Sequence, residues 1–194
     1  MRILQVTAIP VTALRFVVPL AQALRDRGDE VEFASGPGLG LDQIEKLGFR
    51  IHRVPISRSL FAVRNLHAVG ALRSLISAAK FDVVHAHTPA AATIARSAAR
   101  RPDVRLLYTM HGSLWGTAGP GWQRALFTAI ERRLGRRTDC VFTVNSEDAA
   151  DCVARAGMPR GSVRLLPAGG VGVAPEFFLS KEEAKRLRRA TRER

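Results

Sequence analysis

The chain is poor in the features that would classify it at once. It holds two cysteines, Cys140 and Cys152, in 194 residues. Their spacing matches neither a metal cluster nor a redox pair, so two buried thiols in a reducing compartment are expected. Aromatic residues reach only 6% and show no stacking pattern. With no nucleic-acid-binding motif either, a nucleic-acid partner is excluded. No apolar run approaches the ~20 residues of a membrane span. Arg2, the run Ile3–Leu14 and Ala21-Gln22-Ala23 imitate a secretory leader, but Gln5, Pro10 and Arg15 interrupt the imitation. The expected location is the cytoplasm.

Glycine is missing where a dinucleotide fold needs it. The first apolar strand ends in Thr7-Ala8-Ile9-Pro10, without a G-x-G-x-x-G fingerprint. The one glycine-rich loop nearby, Gly36-Pro37-Gly38-Leu39-Gly40, follows the second strand and has the wrong spacing. No Walker A sequence occurs. Nicotinamide, flavin and P-loop chemistry are therefore excluded, and no cofactor is expected.

Positive charge is abundant. Thirty basic residues against 17 acidic ones leave a net charge of +13, and only Lys46, Lys80, Lys181 and Lys185 are lysines. Such a surface attracts phosphates or an anionic lipid leaflet.

Apolar runs alternate with helical stripes. Strands are expected at Arg2–Thr7, Glu30–Ala34, Arg50–Val54, Asp82–His87, Val104–Met110, Cys140–Val144 and Ser162–Leu166. Pro10 and Thr12 mark a loop after the first of them. Between the strands, Phe16, Leu20 and Leu24, with Val17 and Ala21 beside them, form an i, i+4 stripe, Leu41–Leu47 a short helix, and Leu66, Val69, Leu72 and Ile76 a longer one. Ala90–Arg100 is alanine-rich and stopped by Pro102; Leu126, Ile130 and Leu134 mark a helix after the flexible loop Gly116–Gly121. This order predicts an α/β fold, a Rossmann-like doubly wound parallel sheet of about seven strands in a single domain over residues 1–179.

The tail reads differently. Pro167–Val173 packs three glycines into a hinge, and Ser180 with Glu183 forms a capping box. The helix it opens, 180–194, carries seven basic and three acidic residues in 181–194 and few apolar ones. It is expected to be a linker helix toward a second domain.

Two strand ends stand out. Asp82-Val83-Val84-His85-Ala86-His87-Thr88-Pro89 and Tyr108-Thr109-Met110-His111-Gly112 each stop at histidine and a turn former. Ligands of open α/β sheets bind outside the carboxyl ends of the strands, and histidine is the side chain most often set to work near neutral pH. His85 and His87 share one strand face. That pairing lacks a third ligand for a metal, so one packed histidine and one at the strand mouth are expected. Gly112 lets a ligand approach the backbone beside His111. Asn145 sits where the sixth strand meets a helix and is expected to cap it, with Glu147 and Asp148 favoured by the helix dipole.

These residues, in this order and spacing, resemble the N-terminal half of glycosyltransferase family 4 enzymes of the GT-B fold. The resemblance covers nearly the whole chain, through Phe16, Pro19, Ala23–Val31, Asp82–Pro89, Tyr108–Gly112, Glu131-Arg132, Thr143–Asn145 and Leu166–Val173. It is strongest to the bacterial branch that builds capsule, exopolysaccharide and O-antigen chains on polyprenyl carriers.

The resemblance implies the acceptor-binding half of a retaining transferase, inactive alone. The nucleotide-sugar donor would be held by an absent C-terminal domain, without a metal ion. The acceptor would be a lipid-linked or small-molecule hydroxyl, with the chain resting on the membrane's inner face. His111 would position the reacting sugar, and His87, Thr88, Gly112, Asn145, Pro10 and Thr12 would complete the acceptor side. A stand-alone, non-catalytic module binding a glycan or lipid phosphate is the alternative.

Overall fold

The computed structural model describes residues 1–60, 62–99, 104–115 and 121–167. The expected helix end at Arg100 and Pro102, most of the Gly116–Gly121 loop, the hinge beyond Pro167 and the linker helix 180–194 lie outside the described residues.

Seven parallel strands form one sheet in the order β3-β2-β1-β4-β5-β6-β7. They are β1 (Arg2–Thr7), β2 (Glu30–Ser35), β3 (Arg50–Arg53), β4 (Val83–His87), β5 (Arg105–Met110), β6 (Cys140–Thr143) and β7 (Val163–Leu165). The helices between them are α1 (Pro10–Thr12), α2 (Val18–Asp26), α3 (Leu41–Lys46), α4 (Asn65–Ala79), α5 (Pro89–Ala98), α6 (Gly121–Gly135) and α7 (Ser146–Ala154). Strand order reverses between β1 and β4, the place where a doubly wound sheet opens a crevice at its carboxyl edge.

Register decides which residues share a face. Leu4 pairs with Val84 and Val84 with Leu106; Ala86 pairs with Tyr108 and Tyr108 with Val141. This face carries the main core, together with Leu72 and Ile76 of α4 and the alanines of α5. Small side chains on α5 bring its backbone close to the sheet. Each fully buried leucine or isoleucine here contributes about 1.5–3 kcal/mol. The opposite face packs Ile3, Val31 and Phe33 against Val17, Val18, Ala21 and Ile44.

Four local expectations change. Pro10 and Thr12 are helical, not in a loop: Pro10 occupies the first turn of α1, where its missing N–H costs nothing. The chain continues through a π-turn, Ala13–Val17, in which the Val18 N–H donates to the Ala13 carbonyl. This wider turn lies just ahead of Pro19, which lacks the donor for regular helix pairing.

The stripe Phe16, Leu20 and Leu24 is only partly core: Phe16 and Leu24 are half-buried against the second cluster. Val17 and Ala21 beside them are fully buried, as is Val18, and Leu20 is exposed. On α6 the buried face is Phe127, Glu131 and Leu134, while Leu126 is exposed. Glu131 turns inward because the buried Arg96 guanidinium meets it through two bonds of 2.6 and 2.9 Å. Arg96 also lies 4.7 Å from the Tyr108 ring centre. Of the two cysteines, Cys152 is buried, with its thiol pushed up to about 12 by that burial. Cys140 is only half-buried.

The loop Gly36–Gly40 has a packing role. A Cβ on Gly36 would run into the carbonyl oxygens of Ala8 and Ile56, and one on Gly40 into Leu14. Its glycines let the end of β2 nest against the turn after β1.

Candidate functional site

The ends of β4 and β5 come together as their sequence suggested, but their histidines form a buried row. His85 pairs with Leu107 and His87 with Thr109 in register, all on the sheet face opposite the main core. His85 Nε2 lies 2.8 Å from Thr109 Oγ1. His87 Nε2 lies 2.8 Å from Gln5 Oε1, and His87 Nδ1 lies 3.2 Å from His111 Nε2. The His85 and His87 rings sit 4.2 Å apart between centres, and Phe16 flanks His111 at 5.7 Å.

Burial keeps this row neutral. It pushes His85 down to about 3, with the His111 charge adding to the effect. It holds His87 well below its ordinary value, with His85 and His111 acting in the same direction. His111 is only half-buried, and burial lowers it too. His87 is 2% exposed. It is therefore not an open strand mouth; it reaches the surface through His111.

Two cavities divide the expected site residues. One, of about 400 Å³, opens outside the carboxyl ends of β1 and β4, and Thr12, Arg58, Ser59, Thr88 and Gln123 are on its wall. The other, of about 390 Å³, is an apolar groove along the sheet face, holding Gln5, His85, His87 and His111 beneath Phe16, Leu20 and Leu24. Pro10, Gly112 and Asn145 line neither. Gly112 nevertheless follows His111 directly, with φ of +144° and open space where a Cβ would stand.

Thr88 is the strained residue of the site. Its φ of +71° is rare for a β-branched side chain, and it stands at the start of α5 with its N–H donating to the Thr109 carbonyl. Asn145 caps α7 as expected: its Oδ1 accepts from the Asp148 N–H at 2.7 Å, and its Nδ2 donates to Asp148 Oδ2 at 2.9 Å. Both ends of that amide are thus engaged within the cap.

Sequence reasoning missed Gln5 and Arg58. A buried glutamine inside a central strand was the available signal for Gln5, since such a group needs a polar partner. Among the described residues, no group of three or more His, Cys, Asp or Glu side chains is placed to hold a metal ion.

Residues 13–169 match the glycosyl transferase 4-like domain. The chain belongs to that family. EpsD of Bacillus subtilis (strain 168), named as a glycosyltransferase, is 32% identical to this glycosyl transferase 4-like domain over 178 residues, 89% of the chain and 45% of EpsD. An uncharacterised 41.2 kDa protein in the cps region of Klebsiella pneumoniae is 27% identical over 92 residues, 45% of the chain and 25% of that protein. Among solved structures, Anabaena Alr3699/HepE, in complex with UDP and glucose, superposes with a TM-score of 0.67. It is 16% identical, and the match covers 98% of the chain and 50% of HepE. The likeness to HepE shows the fold, half of a GT-B architecture. The domain thus spans less than half the length of the curated relatives it matches.

Proposed function

We propose that this chain is the acceptor-binding half of a retaining glycosyltransferase. The intact enzyme moves a sugar from a nucleotide-sugar donor to a hydroxyl of a lipid-linked or small-molecule acceptor, and needs no metal. One observation carries the reading: a domain of this transferase family opens a cavity at its switch point, walled by Thr12, Arg58 and Thr88. Arg58 and the amino end of α5 offer positive charge to an acceptor phosphate, in keeping with a lipid-linked substrate.

His111 lines the neighbouring apolar groove as a neutral imidazole, so its role is to position a sugar hydroxyl and respond to charge that develops there. His87 supports it from below. Gly112 leaves room for the substrate against the backbone. Asn145 contributes through the cap that holds the start of α7, and Pro10 by setting the turn that carries Thr12. The donor nucleotide is held from a second domain.

The membrane contact falls on α6. Trp122, Leu126, Ala129 and Arg133 recur at helical spacing on one stripe, with Arg136 in the turn just after it and with Trp122 60% and Leu126 41% exposed. An apolar and arginine-bearing stripe of this kind suits an anionic cytoplasmic leaflet.

Backbone amide shifts of the labelled chain test the acceptor reading. A farnesyl-diphosphate-linked hexose is expected to shift Thr12, Arg58, Thr88 and Gly112, and UDP alone to leave them in place. Shifts by UDP, or none by the lipid-linked sugar, would refute it.

A further inference from the structure

The two strand-end histidines are joined to a third residue that nothing in the proposed reaction requires. Gln5 is fully buried in β1, pairing with Phe33 on one side and His85 on the other. A carboxamide in the centre of a parallel sheet is costly unless it is bonded; here the oxygen is bonded, while the nitrogen, Nε2, has no partner among the described residues. Its Oε1 reaches diagonally forward to His87 Nε2, and His87 Nδ1 reaches diagonally forward again to His111 Nε2. The line crosses three adjacent strands and ends where β5 leaves the sheet.

Hydrogen-bond capacity sets a direction along this line. A carboxamide oxygen only accepts, so the proton between it and His87 sits on His87 Nε2. A neutral imidazole with its proton on Nε2 has a bare Nδ1, which only accepts. The proton of the next contact therefore belongs to His111 Nε2. Nδ1 of His111 is then bare as well, and no hydrogen bond engages it among the described residues.

We infer that Gln5 is a positioning residue: through His87 it locks His111 as the Nε2–H tautomer, so that His111 presents an acceptor nitrogen, Nδ1, at the end of β5. Burial of His87 and His111 supports the neutral forms on which the line depends. A bare imidazole nitrogen takes a hydrogen bond from a hydroxyl and rejects a phosphate oxygen, which is itself an acceptor. The ligand group recognised by His111 is therefore a hydroxyl donor. That last step rests on the transferase reading given above; the tautomer itself does not.

Long-range ¹H–¹⁵N spectra of the histidine rings, recorded on the whole chain near pH 7.5, report tautomers directly and need no sugar transfer. The expected spectrum shows His87 and His111 protonated at Nε2, with the unprotonated shift at Nδ1 of each. Gln5→Glu keeps an acceptor-only oxygen and is expected to preserve the pattern. Gln5→Leu removes it and is expected to return His111 to a mixture of both tautomers. Protonation of His111 at Nδ1 in the parent chain would mean that the Gln5 amide faces the other way, and would overturn the assignment. An unchanged single Nε2–H state in Gln5→Leu would overturn the role of Gln5. Should either variant fail to fold, the parent spectrum alone decides the direction. Absence of transferase activity in the intact enzyme would refute the reaction and leave this tautomer result standing.

Discussion

Lowering the pH from 7.5 to 5.0 will destabilise this domain through two histidines that folding keeps neutral. In the unfolded chain both titrate near 6.5; in the fold burial holds His85 at about 3 and His87 well below its ordinary value. Above 6.5 neither state binds a proton at these sites, and stability is unaffected. Below 6.5 the unfolded chain takes up protons that the native protein refuses, so stability falls with pH. Each buried neutral histidine costs about 2 kcal/mol at pH 5.0, and the pair about 4 kcal/mol. That is a large share of the roughly 5–15 kcal/mol that holds a domain together.

Glu32 acts in a separate window. Burial works to raise its carboxyl, but hydrogen bonds from His52 and Arg2 outweigh it and leave it below the usual value of 4.5. Its contribution is present above 4.5 and is lost only as pH falls through the lower folded value. Urea unfolding followed by tryptophan fluorescence is a suitable assay, because Trp115 is buried against Phe127 at 4.8 Å. With a slope of about 2 kcal/mol per molar urea, the midpoint should drop by about 2 M between pH 7.5 and 5.0. His85→Leu removes one of the two sites and should halve that drop relative to its own value at pH 7.5. A midpoint that stays flat or rises toward pH 5.0 would show that the native histidines accept protons, and would refute the reasoning.

Other perturbations separate structural from functional residues. Glu131→Ala strands the buried Arg96 guanidinium and should cost about 3–5 kcal/mol in chemical unfolding, whereas Arg96→Met combined with Glu131→Leu should recover most of it. Thr88→Gly relieves the positive φ and should raise stability by about 1 kcal/mol, read as a higher Tm, while weakening acceptor binding through loss of the hydroxyl. Asn145→Ala removes the α7 cap and should cost about 1 kcal/mol in the same unfolding assay, with Asn145→Ser restoring much of it.

Much of this architecture was legible in sequence because its signals are local. Unbroken apolar runs such as Val83-Val84 and Val141-Phe142 mark strands covered on both sides, and each strand lies where its run predicted. Asn145 was legible as a cap for the same reason: its partner, Asp148, is three residues away. What escaped depends on pairs far apart in the chain. Nothing near Glu131 in the chain marks it as buried; its partner Arg96 lies 35 residues earlier. The stripe Phe16, Leu20 and Leu24 looks like core, yet only Phe16 and Leu24 pack on it and all three also roof the histidine groove; periodicity shows that a face is apolar but not what it meets.

The candidate site divides in the same way. His111 and Gly112 stand at a strand end, as their sequence context indicated. His87 was expected to touch substrate, but its buried position makes it the middle of a line whose origin, Gln5, is 82 residues away. Arg58 escaped because nothing in the stretch after β3 marks it; only the fold carries it to the mouth of β1 and β4.

Sugar transfer itself tests the central claim, that these strand ends form one wall of a two-walled site. The purified chain is assayed for transfer of labelled sugar from a panel of nucleotide-sugars into extractable prenyl lipid, alone and joined to the part of EpsD that it does not match. No transfer is expected from the 194 residues alone. Transfer is expected from the joined protein and should fall at least 100-fold in its His111→Ala form, as when a group that stabilises a transition state is removed. Transfer by the chain alone, or full activity in His111→Ala, would contradict the account.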